Sequence, residues 1–121
     1  MSDKLMNKIN GGYARIYPDD EQDISEINFN GTLKVMKEAK LYHAVVNAGG
    51  QLRVAGFVGS VEVKSNGVLI IERGGNVGNA SCWPGANVTV SSGGIVQIMH
   101  DHGCDLTDHG FVKSRTYLKL C

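Results

Sequence analysis

The chain has 121 residues, enough for one domain with a modest core, and an ordinary globular composition, 42% hydrophobic and 20% charged. Twelve Lys and Arg balance twelve Asp and Glu, so no electrostatic footprint for nucleic acid or an anionic membrane surface is present. Sixteen glycines stand singly or in pairs between short apolar segments, at about twice the usual ~7%, a distribution that excludes a flexible linker.

The N-terminal "MSDKLMNKIN" has no apolar stretch of signal-peptide length, and the longest aliphatic run is "VLII" at 68 to 71; a cytoplasmic location is expected. Residues 1 to 30 read as an N-terminal cap or arm. Within them "PDDEQDISE", 18 to 26, carries five carboxylates in nine positions. Asp19 or Asp20 can cap a short helix there, and acidic residues suit a first turn. The run is a solvated face or, through Asp19, Asp20, Glu21 and Asp23, a docking patch for a basic partner.

From residue 31 onward one pattern returns: apolar, any residue, apolar, then a glycine or small polar turn. It is seen as "LKV" at 33, "LYH" at 41, "LRV" at 52, "VEV" at 61, "LII" at 69, "VGN" at 77, "VTV" at 88, "VQI" at 96, "CDL" at 104 and "VKS" at 112. Successive starts lie 8, 11, 9, 8, 8, 11, 8, 8 and 8 residues apart. Alternation with glycine punctuation marks half-buried strands rather than helices. Strands this short suit a solenoid in which each coil stacks on the one below. Grouping every third segment places Leu33, Val61 and Val88 28 and 27 apart, and Leu41, Leu69 and Val96 likewise. The expected fold is therefore all-β, a short three-sided β-solenoid (β-helix) of about three coils over 31–110, closed by an N-terminal capping segment and by a C-terminal strand over 111–121. In that register Val35, Val63 and Val90 point inward, as do His43, Ile71 and Ile98. A two-sided coil of about 19 residues is the rival register, and spacing alone leaves both open. Lys113, Arg115 and Lys119 are edge charges that discourage runaway stacking.

The stretches "VNAGGQLRVAG" at 46, "VKSNGVLIIERGG" at 63 and "VTVSSGGIVQI" at 88 resemble the AIDA-type repeats of autotransporter adhesins, in which a Val, a small polar pair and Gly-Gly precede an alternating strand. The likeness covers roughly residues 44 to 106 and implies a β-solenoid whose activity is binding rather than catalysis. The glycine-turn rhythm is also similar to that of bactofilins, which implies small cytosolic solenoids that polymerise end to end.

Three constellations carry chemistry. "NASCWPGAN", 79 to 87, reads as an expanded connection bearing the only tryptophan; Trp83 either anchors a partner or folds back over a corner to close the core. "IMHDHGCDLTDHG", 98 to 110, gathers three histidines, a cysteine and three aspartates. Its two "DHG" tripeptides read as exposed corners, with His102 and His109 available to a partner, while Cys104 takes the inward place held by Val77 one coil earlier. The alternative is a transition-metal site, zinc foremost, on His100, His102 and His109 with Asp105 or Asp108. The three cysteines, Cys82, Cys104 and Cys121, form no C-x-x-C pair, so reduced thiols are expected rather than a disulfide.

No Gly-rich phosphate loop precedes a helix, and no catalytic triad order stands out. The expected function is a non-enzymatic protein-binding module, a partner being another protein and self-association into a homo-oligomer being expected. Its most concrete form is a small inhibitor, of the kind phages and mobile elements direct at host defence proteins. The alternatives are a self-assembling structural or adhesin-like solenoid and a metal-binding protein using the histidines of 100–109.

Overall fold

The computed structural model describes residues 6–9, 11–18 and 22–117. The described strands are β1 (Met6–Ile9), β2 (Gly12–Ile16), β3 (Gln22–Ile27), β4 (Gly31–Val35), β5 (Lys40–Val46), β6 (Gln51–Val54), β7 (Phe57–Val63), β8 (Val68–Ile71), β9 (Asn76–Cys82), β10 (Asn87–Val90), β11 (Ile95–Asp101), β12 (Asp105–Asp108) and β13 (Phe111–Tyr117). They alternate strictly between two parallel sheets, the odd strands forming a seven-stranded sheet and the even ones a six-stranded sheet. The all-β solenoid is as expected; the number of sides is not. The coil has two, and paired residues lie 16 to 19 positions apart: Gly12 with Gly31, Leu33 with Leu52 and Phe57 with Asn76 are 19 apart, Leu52 with Leu69 is 17, and Ile95 with Phe111 is 16. The stack therefore holds more coils than three, each shorter than 27 residues.

Both sheets bury one face on the same core. In the six-stranded sheet inward residues alternate strictly, and the columns Leu33, Leu52, Leu69, Val88 and Val35, Val54, Ile71, Val90 are 0 or 1% exposed. Each such side chain contributes on the order of 1.5–3 kcal/mol on burial. The seven-stranded sheet breaks the alternation. Strands β5, β7, β9 and β11 point inward at their second, fifth and seventh residues, as Leu41, Ala44, Val46 in β5 and Val96, Met99, Asp101 in β11. Two consecutive residues thus face outward at Tyr42–His43, Gly59–Ser60, Gly78–Asn79 and Gln97–Ile98. This corrects the expectation that His43 and Ile98 point inward: Ile98 is 40% exposed. Gly78 sits here because a Cβ would strike the carbonyl oxygen of Gly59 in the coil below.

Most corners are four-residue turns closed by an i to i+3 hydrogen bond, as Gly75 N–H to Glu72 O at 2.8 Å and Gly94 N–H to Ser91 O at 2.8 Å. Their third residue takes positive φ, +85° at Gly74 and +88° at Gly93, the signature of a type II turn. Glu38 adopts the same conformation at +69° without glycine's freedom. Shorter corners are Ala55–Gly56 between β6 and β7, residues 102–104 between β11 and β12, and His109–Gly110 between β12 and β13.

Residues expected as a separate cap instead supply β1, β2 and β3, in the same register as the rest. The acidic run forms strand over Gln22–Ile27, not a helix, because Ser25 and Ile27 fill inward places, each 0% exposed. Among the described residues no helix is long and apolar enough to cross a membrane.

Candidate functional site

The residue following each long strand repeats one coil later, so unlike side chains are stacked at the strand spacing of about 4.8 Å. Lys64 N–H donates to Val46 O, Trp83 N–H to Val63 O and His102 N–H to Cys82 O, at 2.8, 3.1 and 2.9 Å. As a result the His102 ring lies parallel to Trp83, with centroids 4.7 Å apart and planes 13° apart. The Lys64 ammonium sits 4.5 Å over the Trp83 ring. Trp83 is a half-buried corner residue held in this stack, not an anchor on a projecting loop; residues 79–82 belong to β9, and the connection is an ordinary four-residue turn.

The stack continues across the outer face of the seven-stranded sheet. Lys64 pairs with Glu62 at 3.4 Å, Glu62 with His43 Nε2 at 3.1 Å, and His43 Nδ1 shares a hydrogen bond of 2.7 Å with Ser60 Oγ. These are neighbours because Ser60 and Glu62 alternate on β7 and His43 pairs with Ser60 from β5. A hydroxyl, an imidazole and a carboxylate in line can share a proton, but here they lie on the open face of a sheet. On the six-stranded sheet, burial works against the charge of Glu72, yet Arg53 Nε–H at 2.6 Å and the Lys34 ammonium at 3.1 Å outweigh it and hold that carboxyl below its ordinary 4.5.

The outer face of the seven-stranded sheet also carries exposed apolar side chains. Tyr42 is 77% exposed, and Phe57 and Ile98 are each 40% exposed. Tyr42 and Phe57 are diagonal neighbours on adjacent strands, and between them and Ile98 the backbone of Gly59 and Gly78 is bare. A separate shallow depression lies where the short Ala55–Gly56 corner drops below its longer neighbours, lined by Lys37, Lys40, Phe57 and Asn76.

One inward column changes character towards its C-terminal end. Down this column of the seven-stranded sheet run Ile27, Val46, Val63, Cys82 and Asp101. Asp101 is 2% exposed, and its Oδ1 accepts from Gly103 N–H at 2.8 Å and Cys104 N–H at 3.0 Å. Cys104 is disulfide-bonded to Cys82, their Cα atoms 5.6 Å apart. This overturns the expectation of free thiols: residues 22 apart in sequence are one coil apart in space. It also moves Cys104 from the Val77 place to the corner place that Ala86 fills one coil earlier.

Comparison of the chain with protein-family models, curated proteins and solved structures finds no match. Function therefore has to rest on what this surface and this column can do.

Of the residues singled out in the sequence, His102 is half-buried against Trp83, and His109 is exposed at the opposite corner. Strand β12 separates them, about 13 Å at ~3.3 Å per residue, so His100, His102 and His109 do not converge on one ion. Both "DHG" tripeptides lie at corners, but only the second is exposed as expected: Asp101 is an inward residue at the end of β11 and His102 is half-buried, while Asp108 Oδ1 accepts from Gly110 N–H at 3.0 Å as Asp101 does in its own turn. Asp19, Asp20 and Glu21 lie outside the described residues, as does the side chain of Asp23. The sequence reading holds Asp101 only as part of an exposed corner, Tyr42 only within a strand tripeptide and His43 as an inward residue. For Asp101 a signal existed, a carboxylate four residues after Gln97 on an inward place, but the doubled outward step in each long strand hid it.

Proposed function

We propose that the chain is a protein-binding module that works through the outer face of its seven-stranded sheet. The observation carrying this reading is the exposure of Tyr42 at 77%, with Phe57 and Ile98 at 40%, on a rigid parallel sheet. Aromatic side chains on a scaffold that loses little entropy on docking are favourable anchors. The bare backbone of Gly59 and Gly78 lets a partner approach closely between them. In its specific form the module is a small inhibitor of a larger protein, of the type mobile elements direct at host defence; the surface-borne chemistry supports that form. The likeness to AIDA-type repeats supports binding rather than catalysis.

A second reading, end-to-end self-assembly of the bactofilin kind, is favoured by β12 and β13, whose outer edges pair with no strand among the described residues. There Leu106 and Val112 are only partly buried and Phe111 is 56% exposed. Affinity capture from the host lysate with the wild type and with Tyr42→Ser/Phe57→Ser, read beside light scattering over a concentration series, separates the two. The expected result is a fixed particle mass and one protein enriched by the wild type, with retention falling about 30-fold or more in the double variant. Equal capture by both forms overturns the surface assignment. Mass that grows with concentration supports the second reading instead.

A further inference from the structure

We propose that Cys82, Cys104 and Asp101 form a redox-gated binding site for a thiophilic divalent metal, zinc being the best chemical match. Their ligand atoms all lie within 4.8 Å of one another at the end of the core. Each departs from what the preceding coils place there. Cys82 and Asp101 follow Ile27, Val46 and Val63 up one column, and Cys104 follows Ala86 at the corner. A core that needed only packing would continue with valine and alanine. A carboxylate 2% exposed at an aliphatic position is costly unless it is hydrogen-bonded, paired or bound to metal. Asp101 Oδ1 accepts from the Gly103 and Cys104 N–H groups, and the two oxygens of a carboxylate can take several partners at once.

Two thiolates and one carboxylate are a three-ligand set with an open fourth position for water. Tetrahedral zinc with Zn–S of about 2.3 Å sets two sulfurs about 3.8 Å apart. The Cα separation of 5.6 Å suits that spacing as well as a disulfide. In the oxidised chain the S–S bond consumes both ligands. A dithiol reductant transfers two electrons and two protons: the Cys82–Cys104 bond breaks, two thiols form, and the reductant closes its own disulfide. The metal then displaces the two thiol protons to water. His102 is held against Trp83 and does not belong to the set.

Cobalt(II) is the probe. Full-length protein reduced with a dithiol and desalted without oxygen is titrated beside the oxidised form. The expected result is one equivalent bound by the reduced chain only, with thiolate-to-cobalt charge-transfer and tetrahedral visible bands that zinc bleaches. Cys104→Ala and Cys82→Val restore the residues of the preceding coil, keep the circular dichroism of the wild type and lose the bands. Asp101→Asn keeps the turn acceptor and weakens zinc by at least about tenfold, since even outer-shell changes cost that much. Replacing His100, His102 and His109 together by Ala leaves the bands intact. The proposal is overturned if the reduced wild type binds no stoichiometric metal, if oxidised protein binds equally, or if binding survives Cys104→Ala. Each result is independent of whether the sheet face captures a partner.

Discussion

Trp83→Ala tests whether the corner stack is a structural clamp. The mutation removes the ring that His102 covers at 4.7 Å and that the Lys64 ammonium approaches at 4.5 Å. An aromatic stack is worth about 0.5–1.5 kcal/mol beyond area, and a cation over an incompletely buried ring about 0.5–1 kcal/mol. Half of a tryptophan's roughly 200 Å² is about 100 Å², which at ~25 cal/mol/Å² adds about 2.5 kcal/mol as an upper bound. A loss of about 3 kcal/mol is expected, and for a domain of this size each kcal/mol moves the midpoint by about 4 °C. Thermal unfolding should show a fall of about 12 °C, with Trp83→Phe falling by less than half as much. A double-mutant cycle with His102→Ala should return a coupling of about 1 kcal/mol. A Trp83→Ala midpoint within about 2 °C of the wild type, with no coupling to His102, refutes the clamp and returns Trp83 to the list of free surface anchors.

Glu38→Gly should raise the midpoint. The left-handed conformation at +69° costs a non-glycine residue about 1–2 kcal/mol, partly offset by glycine's unfolded-state freedom, for a net gain of about 0.5–1 kcal/mol by urea titration. Gly75→Ala places a Cβ on the Val54 carbonyl oxygen, which as stacked backbone yields little; a loss of about 3 kcal/mol or failure to fold is expected, and wild-type stability would show that adjacent coils are not in this contact. Glu72→Gln probes acid stability. The folded carboxyl titrates below its ordinary 4.5, so its contribution is complete above that value and fades as pH falls through the lowered folded one. Urea midpoints of wild type and variant should therefore differ at pH 6 and converge towards pH 3; a constant gap would mean that the Lys34 and Arg53 contacts are not the cause.

Strand positions were legible in the sequence and their grouping was not. Nine of the ten apolar tripeptides fall wholly on strands β4 to β11 and β13, in order, and "CDL" starts at the corner residue Cys104 just before β12. Taking every second start gives Leu33, Leu52, Leu69 and Val88, separated by 19, 17 and 19 and paired in the structure. Taking every third gives 28 and 27, a more even series that arises only because long and short steps average out. The two-residue corner at Ala55–Gly56 created the irregularity that favoured the wrong choice. Face assignments in the long strands failed for another reason: period two predicts His43 and Ile98 inward, but each long strand spends two residues outward and then resumes. The disulfide was illegible because the longer coil put Cys82 in an expanded connection and Cys104 at the inward Val77 place, so nothing set the two side by side.

Those unequal corners bear on how the chain finds its own partner strands. A solenoid of identical coils has translational symmetry, and any coil could be threaded into a neighbour's slot, within one molecule or between two. Here the coil containing Ala55–Gly56 is two residues shorter than its neighbours, as the separations of 17 and 19 show. A slip by one coil would preserve the inward and outward faces, since the mismatch is even, yet it would set four-residue turns against a two-residue one and unpair the hydrogen bonds on both sides. The short corner thereby acts as a registration mark, giving a nearly periodic chain one correct stacking order among several that its hydrophobic columns alone would accept.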